Sequence, residues 1–379
     1  MRLGDICTIV SGSTPKSNIP EYWDGDIKWI TPAELTDDSY IISDSARHIT
    51  ELGVAKTGLK PFPEGTVILS SRAPIGKTAI AGCEMYCNQG FKNLICSSQI
   101  NNRYLYWFLT CNTDYLNSLG RGATFKEISK SIVEDIEIPL PPLNEQLNIA
   151  NKLEKISGLI SLRKQQLAKL DELVKARFVE LFGDQKTNPY NLEVGKLSDV
   201  ADIYLGLTHT PTYVEQGKPF LSVRDISSGV VDFSNCHYIT EEEFDSLPKG
   251  ARPQVGDMLF CRVGTIGKPV IIPENIPEFG TFVSVGYLRK KANVNNYYLK
   301  AWMENEYFMR QVYDNVAGAS QINLNTGWLK NFRILVPPME LQNQFAAFVE
   351  QTDKSKSAIQ QSLDKLETLK GALMQKYFG

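Results

Sequence analysis

Long apolar runs are missing from this 379-residue chain; none approaches the roughly 18 consecutive apolar residues that a membrane span requires. The opening MRLGDICTIV lacks the basic region, apolar core and small-residue cleavage site of an export signal, so a cytosolic location without membrane association is expected. Histidine is scarce. The three present, His48, His209 and His237, are too scattered to give a metal-ligand spacing or a nucleophile's base. The seven cysteines, an odd number without a C-x-x-C pair, read as reduced thiols of a reducing compartment. Cys83, Cys87 and Cys96 form the one cluster, and with no histidine nearby they read as small buried hydrophobes rather than as a zinc site. Paired acids with a lysine, a Gly-x-Ser-x-Gly elbow and metal-ligand spacings are all missing, which points to a binding protein without catalytic residues.

Two stretches come close to chemistry and fall short. Ser70–Thr78, SSRAPIGKT, follows an apolar run and ends like a phosphate-binding loop, but Ser71 stands where G-x-x-x-x-G-K-[ST] needs its first glycine. Thr187-Asn188-Pro189-Tyr190 is one proline short of the Asn-Pro-Pro-Tyr loop with which amino-methyltransferases grip a base. No glycine-rich cofactor loop precedes it, and a turn is expected there.

An internal repeat is the strongest signal. Residues 141–183 align without gaps to 337–379, with identities at Pro141/Pro337, Pro142/Pro338, Gln146/Gln342, Glu154/Glu350, Leu167/Leu363, Leu170/Leu366 and the closing Phe182-Gly183/Phe378-Gly379. Upstream, residues 65–80 match 256–271, 29–35 match 220–226, and Gly122-Ala123-Thr124 faces Gly318-Ala319-Ser320. The chain is two copies of one unit: a globular part, a Pro-Pro boundary and a long helix. Apolar residues recur at steps of three, four and seven in both long segments. An exposed stripe of this kind is best buried against its counterpart, so Leu167, Leu170, Val174, Leu363, Leu366 and Leu373 are candidate interface residues.

The globular parts hold short β-branched and aromatic runs broken by Gly, Pro and Asp. Residues 104–119 and 297–313 read as one core helix each. The expected fold class is α+β: two similar mixed α/β domains joined by two long helices that form an antiparallel coiled coil, with pseudo-two-fold internal symmetry. The expected divisions are 1–140, 141–184, 185–336 and 337–379.

A net charge of −3 and a pI near 5.8 argue, as totals, against a nucleic-acid binder. The distribution argues the other way. Residues 1–71 carry 6 Lys/Arg against 10 Asp/Glu and residues 72–130 carry 7 against 3, while residues 197–255 carry 4 against 9 and residues 256–333 carry 9 against 6. Each copy thus has an acidic and a basic half, and the basic half holds the Ile-Gly-Lys turn and, in copy two, Arg289, Lys290 and Lys291. Copy two replaces the P-loop hydroxyl by Pro269, so the copies share a hairpin rather than a phosphate loop, with Arg72 and Lys77 recurring as Arg262 and Lys268. Candidate DNA contacts are Lys16, Arg72, Lys77, Arg121, Thr124, Lys126, Arg262, Lys268, Ser320 and Gln321.

The segment SGSTPKSNIPEYWDGDIKWIT, the paired Ile-Gly-Lys hairpins, and GAT or GAS followed by the Pro-Pro junction and a long helix make the chain resemble the specificity subunits of type I restriction-modification systems. The resemblance covers essentially the whole length. It implies two target-recognition domains that read a split sequence in double-stranded DNA, and docking to two methyltransferase subunits and to restriction subunits. S-adenosylmethionine, ATP and magnesium would belong to those adenine-methylating and cleaving partners, leaving this chain without a cofactor. Copy two departs from the pattern at GLTHTPTYVEQG, Phe220 and MELQNQ. A nucleotide-binding enzyme and a coiled-coil scaffold without DNA affinity are the competing readings.

Overall fold

The computed structural model of the chain describes residues 1–72, 74–122, 126–316 and 322–379. They fall into two compact units, Met1–Lys164 with Gln361–Gly379, and Gln165–Gln360.

In the first unit the chain runs through α1 (Leu3–Ile6), β1 (Cys7–Ser11), β2 (Trp23–Ile30), β3 (Ile41–Ile42), β4 (Arg47–Ile49), α2 (Glu51–Thr57), β5 (Val67–Leu69), β6 (Thr78–Ala81), β7 (Tyr86–Cys87) and β8 (Lys92–Cys96). It continues through α3 (Asn102–Cys111), α4 (Thr113–Ser118) and α5 (Lys130–Glu134) into α6 (Leu143–Phe182). One sheet has the order β1-β8-β5-β6-β3 and a second β4-β2-β7. β5 lies between two antiparallel neighbours, and its residues Val67, Ile68 and Leu69 are buried without alternation, as a strand covered on both faces requires. Ile149, Ala150 and Leu153 of α6 join the core of this unit.

The second unit repeats the plan with α7 (Leu197–Val200), β9 (Glu193–Lys196), β10 (Ala201–Leu205), β11 (Lys218–Leu221), β12 (His237–Ile239), α8 (Glu241–Ser246), β13 (Met258–Cys261), β14 (Val270–Ile271), β15 (Gly280–Thr281) and β16 (Val285–Lys290). After these come α9 (Asn296–Glu304), α10 (Glu306–Asn315), α11 (Thr326–Leu329), β17 (Arg333–Val336) and α12 (Met339–Phe378). Its sheets are β10-β16-β13-β14, β12-β11-β15 and β17-β9. The matching is residue by residue: Cys7 opposes Cys96 as Ala201 opposes Lys290, and Trp29 opposes Tyr86 as Phe220 opposes Gly280.

Each region read from the sequence as one core helix is two. Asn112 separates α3 from α4, and Asn305 separates α9 from α10. The Asn305 carboxamide accepts from the Tyr307 amide and starts a new helix, whereas the Asn112 side chain donates back to the Phe108 carbonyl. Apolar periodicity continues across both breaks, so only the capping chemistry of asparagine marks them.

The two long helices are antiparallel in each unit. In the first, Lys164 of α6 pairs with Glu367 of α12 at 3.2 Å, and Ile149 and Leu153, earlier in α6, share a core with Phe378, later in α12. In the second, Asp171 pairs with Lys356 at 2.6 Å, and further along α6 Phe178 and Phe182 pack on Phe345, earlier in α12. The repeated Phe-Gly endings now have a cause. Each long helix starts from one globular part and ends docked on the other: Phe182 lies 4.7 Å from the ring of Tyr298, and Phe378 lies 5.2 Å from the ring of Tyr104.

Candidate nucleic-acid interface

The helix-start junction is the most faithfully repeated site. Gln146 is fully buried; its amide donates to the Gln99 and Pro141 carbonyls while its oxygen accepts from the Asn101 amide. Gln342 repeats all three bonds, to Asn293, Pro337 and Asn295. The Tyr104 hydroxyl donates to Pro139 and the Tyr298 hydroxyl to Leu335. Burial, with Glu145 adding to it, pushes the Tyr104 phenol up to about 12. Asn102 donates to Gly65 and Asn296 to Gly256. These bonds tie the first turn of α3 or α9, the hairpin and the start of the long helix into one block, fixing where each hairpin stands. The glutamine identity was visible in the sequence; two of its three partners in each copy were not, because they lie 45 or more residues away.

The hairpins themselves are as expected. β5 and β6 are antiparallel around Gly76, at φ +96°, and β13 and β14 around Gly267, at φ +83°. In both copies a strand, not a helix, follows the Ile-Gly-Lys turn, so there is no helix N-terminus to receive a phosphate. Beneath each turn lies a groove, about 400 Å³ in the first copy with Lys77 and Thr110 in its wall and about 460 Å³ in the second with Lys268 and Lys300.

The candidate contacts have different surroundings. Lys16 is exposed on the loop after β1, a loop held by the Trp23 indole donating to the Lys16 carbonyl and the Trp29 indole donating to that of Ser13. Gly12 opens that loop against the Cys87 carbonyl, where a Cβ would fall 2.0 Å from the oxygen, and Gly206 does the same against Phe282 at 2.3 Å. Lys77 is half-buried, its ammonium donating to the Leu35 carbonyl at 2.7 Å, while Lys268 is exposed. Arg121 and Lys126 are exposed, and Arg72 is half-buried. Glu127 forms bridge pairs with both Arg72 and Arg121 and so brings these two arginines onto one strip. Thr124, Ser320 and Gln321 lie outside the described residues.

One sequence equivalence needs correcting. Arg262 is the counterpart of Ser71, not of Arg72: the Ser71 amide donates to Gly90 and that of Arg262 to Ser284, and the Ser71 and Arg262 carbonyls accept from Ile128 and Leu324. Residue type suggested the match; backbone register decides it. The Arg262 guanidinium is directed inward, donating to the carbonyls of Leu324 at 3.0 Å and Val283 at 3.0 Å and to the Asn323 carboxamide at 3.3 Å. The basic stretch after β16 is likewise partly engaged. Arg289 holds buried Asp257 by two bonds, at 2.8 and 2.6 Å, and Lys291 donates to Ser198 and pairs with Asp202. Lys92, which no motif or spacing marks in the sequence, is buried and bonds Glu127 and Ser71.

Of the candidate interface residues, Leu363 is buried, and Leu167, Leu170, Val174, Leu366 and Leu373 are half-buried. All seven cysteines are free thiols, and among the described residues no group of His, Cys, Asp and Glu is arranged to hold a metal. No helix among them is long and apolar enough to cross a membrane.

Two copies of an α+β domain, each ending in a long helix, define a class of internally duplicated two-domain proteins. The sequence matches the family described as type I restriction modification DNA specificity domain twice, over residues 1–172 and 189–368, and the chain belongs to that family. It is 30% identical over 401 residues to the type I restriction enzyme MjaIX specificity subunit of Methanocaldococcus jannaschii, covering 99% of this chain and 91% of that protein. It is 22% identical to the EcoBI specificity subunit of Escherichia coli over 84% of this chain and 75% of that protein. The fold is shared with the crystal structure of the type I restriction-modification S subunit from M. genitalium, at TM-score 0.62 and 14% identity over 100% of this chain and 95% of that one. The chain is therefore a type I specificity subunit with two target-recognition domains, non-catalytic in itself.

Proposed function

We propose that the chain reads a bipartite target in double-stranded DNA, one half-site for each recognition domain, and carries two methyltransferase subunits to it, with restriction subunits joining that assembly. Residues 1–140 and 185–336 serve as the recognition domains, and 141–184 and 337–379 as the helices that receive the partners. S-adenosylmethionine, ATP and magnesium act on the partner subunits.

One observation carries this reading: the junction is repeated bond for bond and sets a hairpin of the same register in each copy, while the side chains around that hairpin differ between copies. Lys16, Arg72, Arg121 and Lys126 stand in one domain without cationic counterparts in the other, where Arg262 turns inward, while the lysine of the turn is common to both as Lys77 and Lys268. A common frame with different presented groups is what two unlike half-sites require. Thr124, Ser320 and Gln321 complete the candidate contacts. A scaffold without DNA affinity would have no use for the second difference.

Mapping methylated bases in DNA from cells carrying the complete system tests the reading. A split motif with a fixed interval is expected; methylation at a continuous motif, or none with all partners present, would overturn it.

A further inference from the structure

Beneath the strip that carries Arg72 and Arg121, the two recognition domains solve the same problem from opposite strands. In the first, Lys92 of β8 reaches across with its ammonium 3.1 Å from the Glu127 carboxylate and 3.3 Å from the Ser71 hydroxyl. The Lys92 side chain is 8% exposed and that of Glu127 41%. Glu127 is the central residue of the strip, with its amide bonded to the Arg121 carbonyl, its carbonyl bonded to the Arg121 amide, and a bridge pairing to Arg72. Glu127 and Lys92 thus link the strip to the buried sheet.

In the second domain the strand registers place Gly286 at the position of Lys92, Arg262 at that of Ser71 and Asn323 at that of Glu127. A side chain at 286 would have to displace Phe260, because a Cβ there would lie 2.4 Å from Cζ of that ring, whose counterpart in the first domain is the smaller Leu69. The cation is supplied by Arg262 instead, and the residue it meets is the neutral Asn323. A positive group under this strip is therefore kept while its strand, its chemistry and its partner all change. Such an exchange is not needed for packing alone, since an apolar side chain would fill the space without the desolvation cost of a charge.

We propose that Lys92 is a positioning residue for DNA recognition by the first domain: by holding Glu127 it sets the register and spacing of Arg72 and Arg121, and Arg262 is its counterpart in the second domain. This rests on the bipartite-recognition reading above. Lys92 itself lies below the strip and touches no base; its effect passes through Glu127.

The test uses the full chain assembled with its methyltransferase subunits, and duplexes bearing the motif mapped for the wild-type complex or single-base changes in either half-site. Lys92→Met should lower affinity for the cognate duplex by about tenfold or more, as loss of one charge-assisted bond implies. It should also blunt discrimination at the half-site read by the first domain and leave the other unchanged. Lys92→Arg should bind like the wild type. The triple change Ser71→Arg, Lys92→Gly and Glu127→Asn, which transplants the second domain's arrangement, should restore discrimination.

A Lys92→Met complex with unchanged affinity, or with equal loss at both half-sites, would overturn the proposal. If Lys92→Met does not assemble, the triple variant decides: assembly with restored discrimination supports positioning, and assembly without it refutes it. Failure of the wild-type complex to bind any duplex would instead refute the bipartite reading itself.

Discussion

Replacing Gln146 by leucine tests whether the buried junction glutamine fixes the long helix to its domain. Leucine nearly conserves the volume, so the change removes hydrogen bonds with little cavity. Three bonds go at once: those to the Gln99 and Pro141 carbonyls and the one from the Asn101 amide. Net values near 1 kcal/mol each, raised where a buried partner is left unsatisfied, give about 3 kcal/mol. The shell around a side chain of zero exposure has no ready water to replace them. For a unit of this size about 3 kcal/mol corresponds to a fall of about 6–12 °C in its melting temperature. Because the chain has two units, the transition of the first must be resolved separately by calorimetry. Hydrogen exchange gives the local readout, since the Asn101 amide should lose protection while amides of the second unit keep theirs. Gln342→Leu should mirror the result in the second unit through Asn295. A change below about 1 kcal/mol with Asn101 still protected would mean that the amide bonds do not hold the junction.

Phe182→Ala and Phe378→Ala should each cost about 3–5 kcal/mol in the unit where the aromatic docks, because both rings are buried against a tyrosine; denaturation of the single variants checks this. Arg289→Ala should destabilise the second unit by about 2–3 kcal/mol, since buried Asp257 would keep only the Gln254 amide as a partner, with Asp257→Asn in the same background recovering part of the loss on urea titration. Raising pH should weaken the first unit only in the alkaline range. The Tyr104 phenol, at about 12 in the folded state and about 10 unfolded, contributes fully below pH 10 and loses its contribution as pH rises toward 12, a slope that Tyr104→Phe should flatten in pH-dependent melts. Arg121→Gln and Lys126→Gln should each reduce the salt dependence of duplex binding by roughly 0.9 in slope while leaving the preferred sequence intact, measured by titration at several salt concentrations.

The parts of this protein that repeat locally were legible from its residues, and the parts that depend on distant partners were not. Long-helix bounds, the Pro-Pro junction, the Ile-Gly-Lys turns and the antiparallel pairing follow from periodicity, from glycine at positive φ and from connectivity, all properties of adjacent residues. The breaks at Asn112 and Asn305 were hidden because apolar spacing runs through them. The inward course of Arg262 was hidden for a different reason. A gapless comparison already sets it opposite Ser71, yet a match by charge set it beside Arg72, and nothing local says which strand supplies the cation beneath the strip. In the second domain the ring of Phe260 fills the space beside Gly286 that the Lys92 side chain leaves from in the first, and the cation stands on the neighbouring strand. Recognition domains of this kind can therefore keep a frame constant while exchanging which residue supports it. A comparison by residue type will then misassign such sites wherever one bulky core residue changes, whereas a comparison by strand register will not.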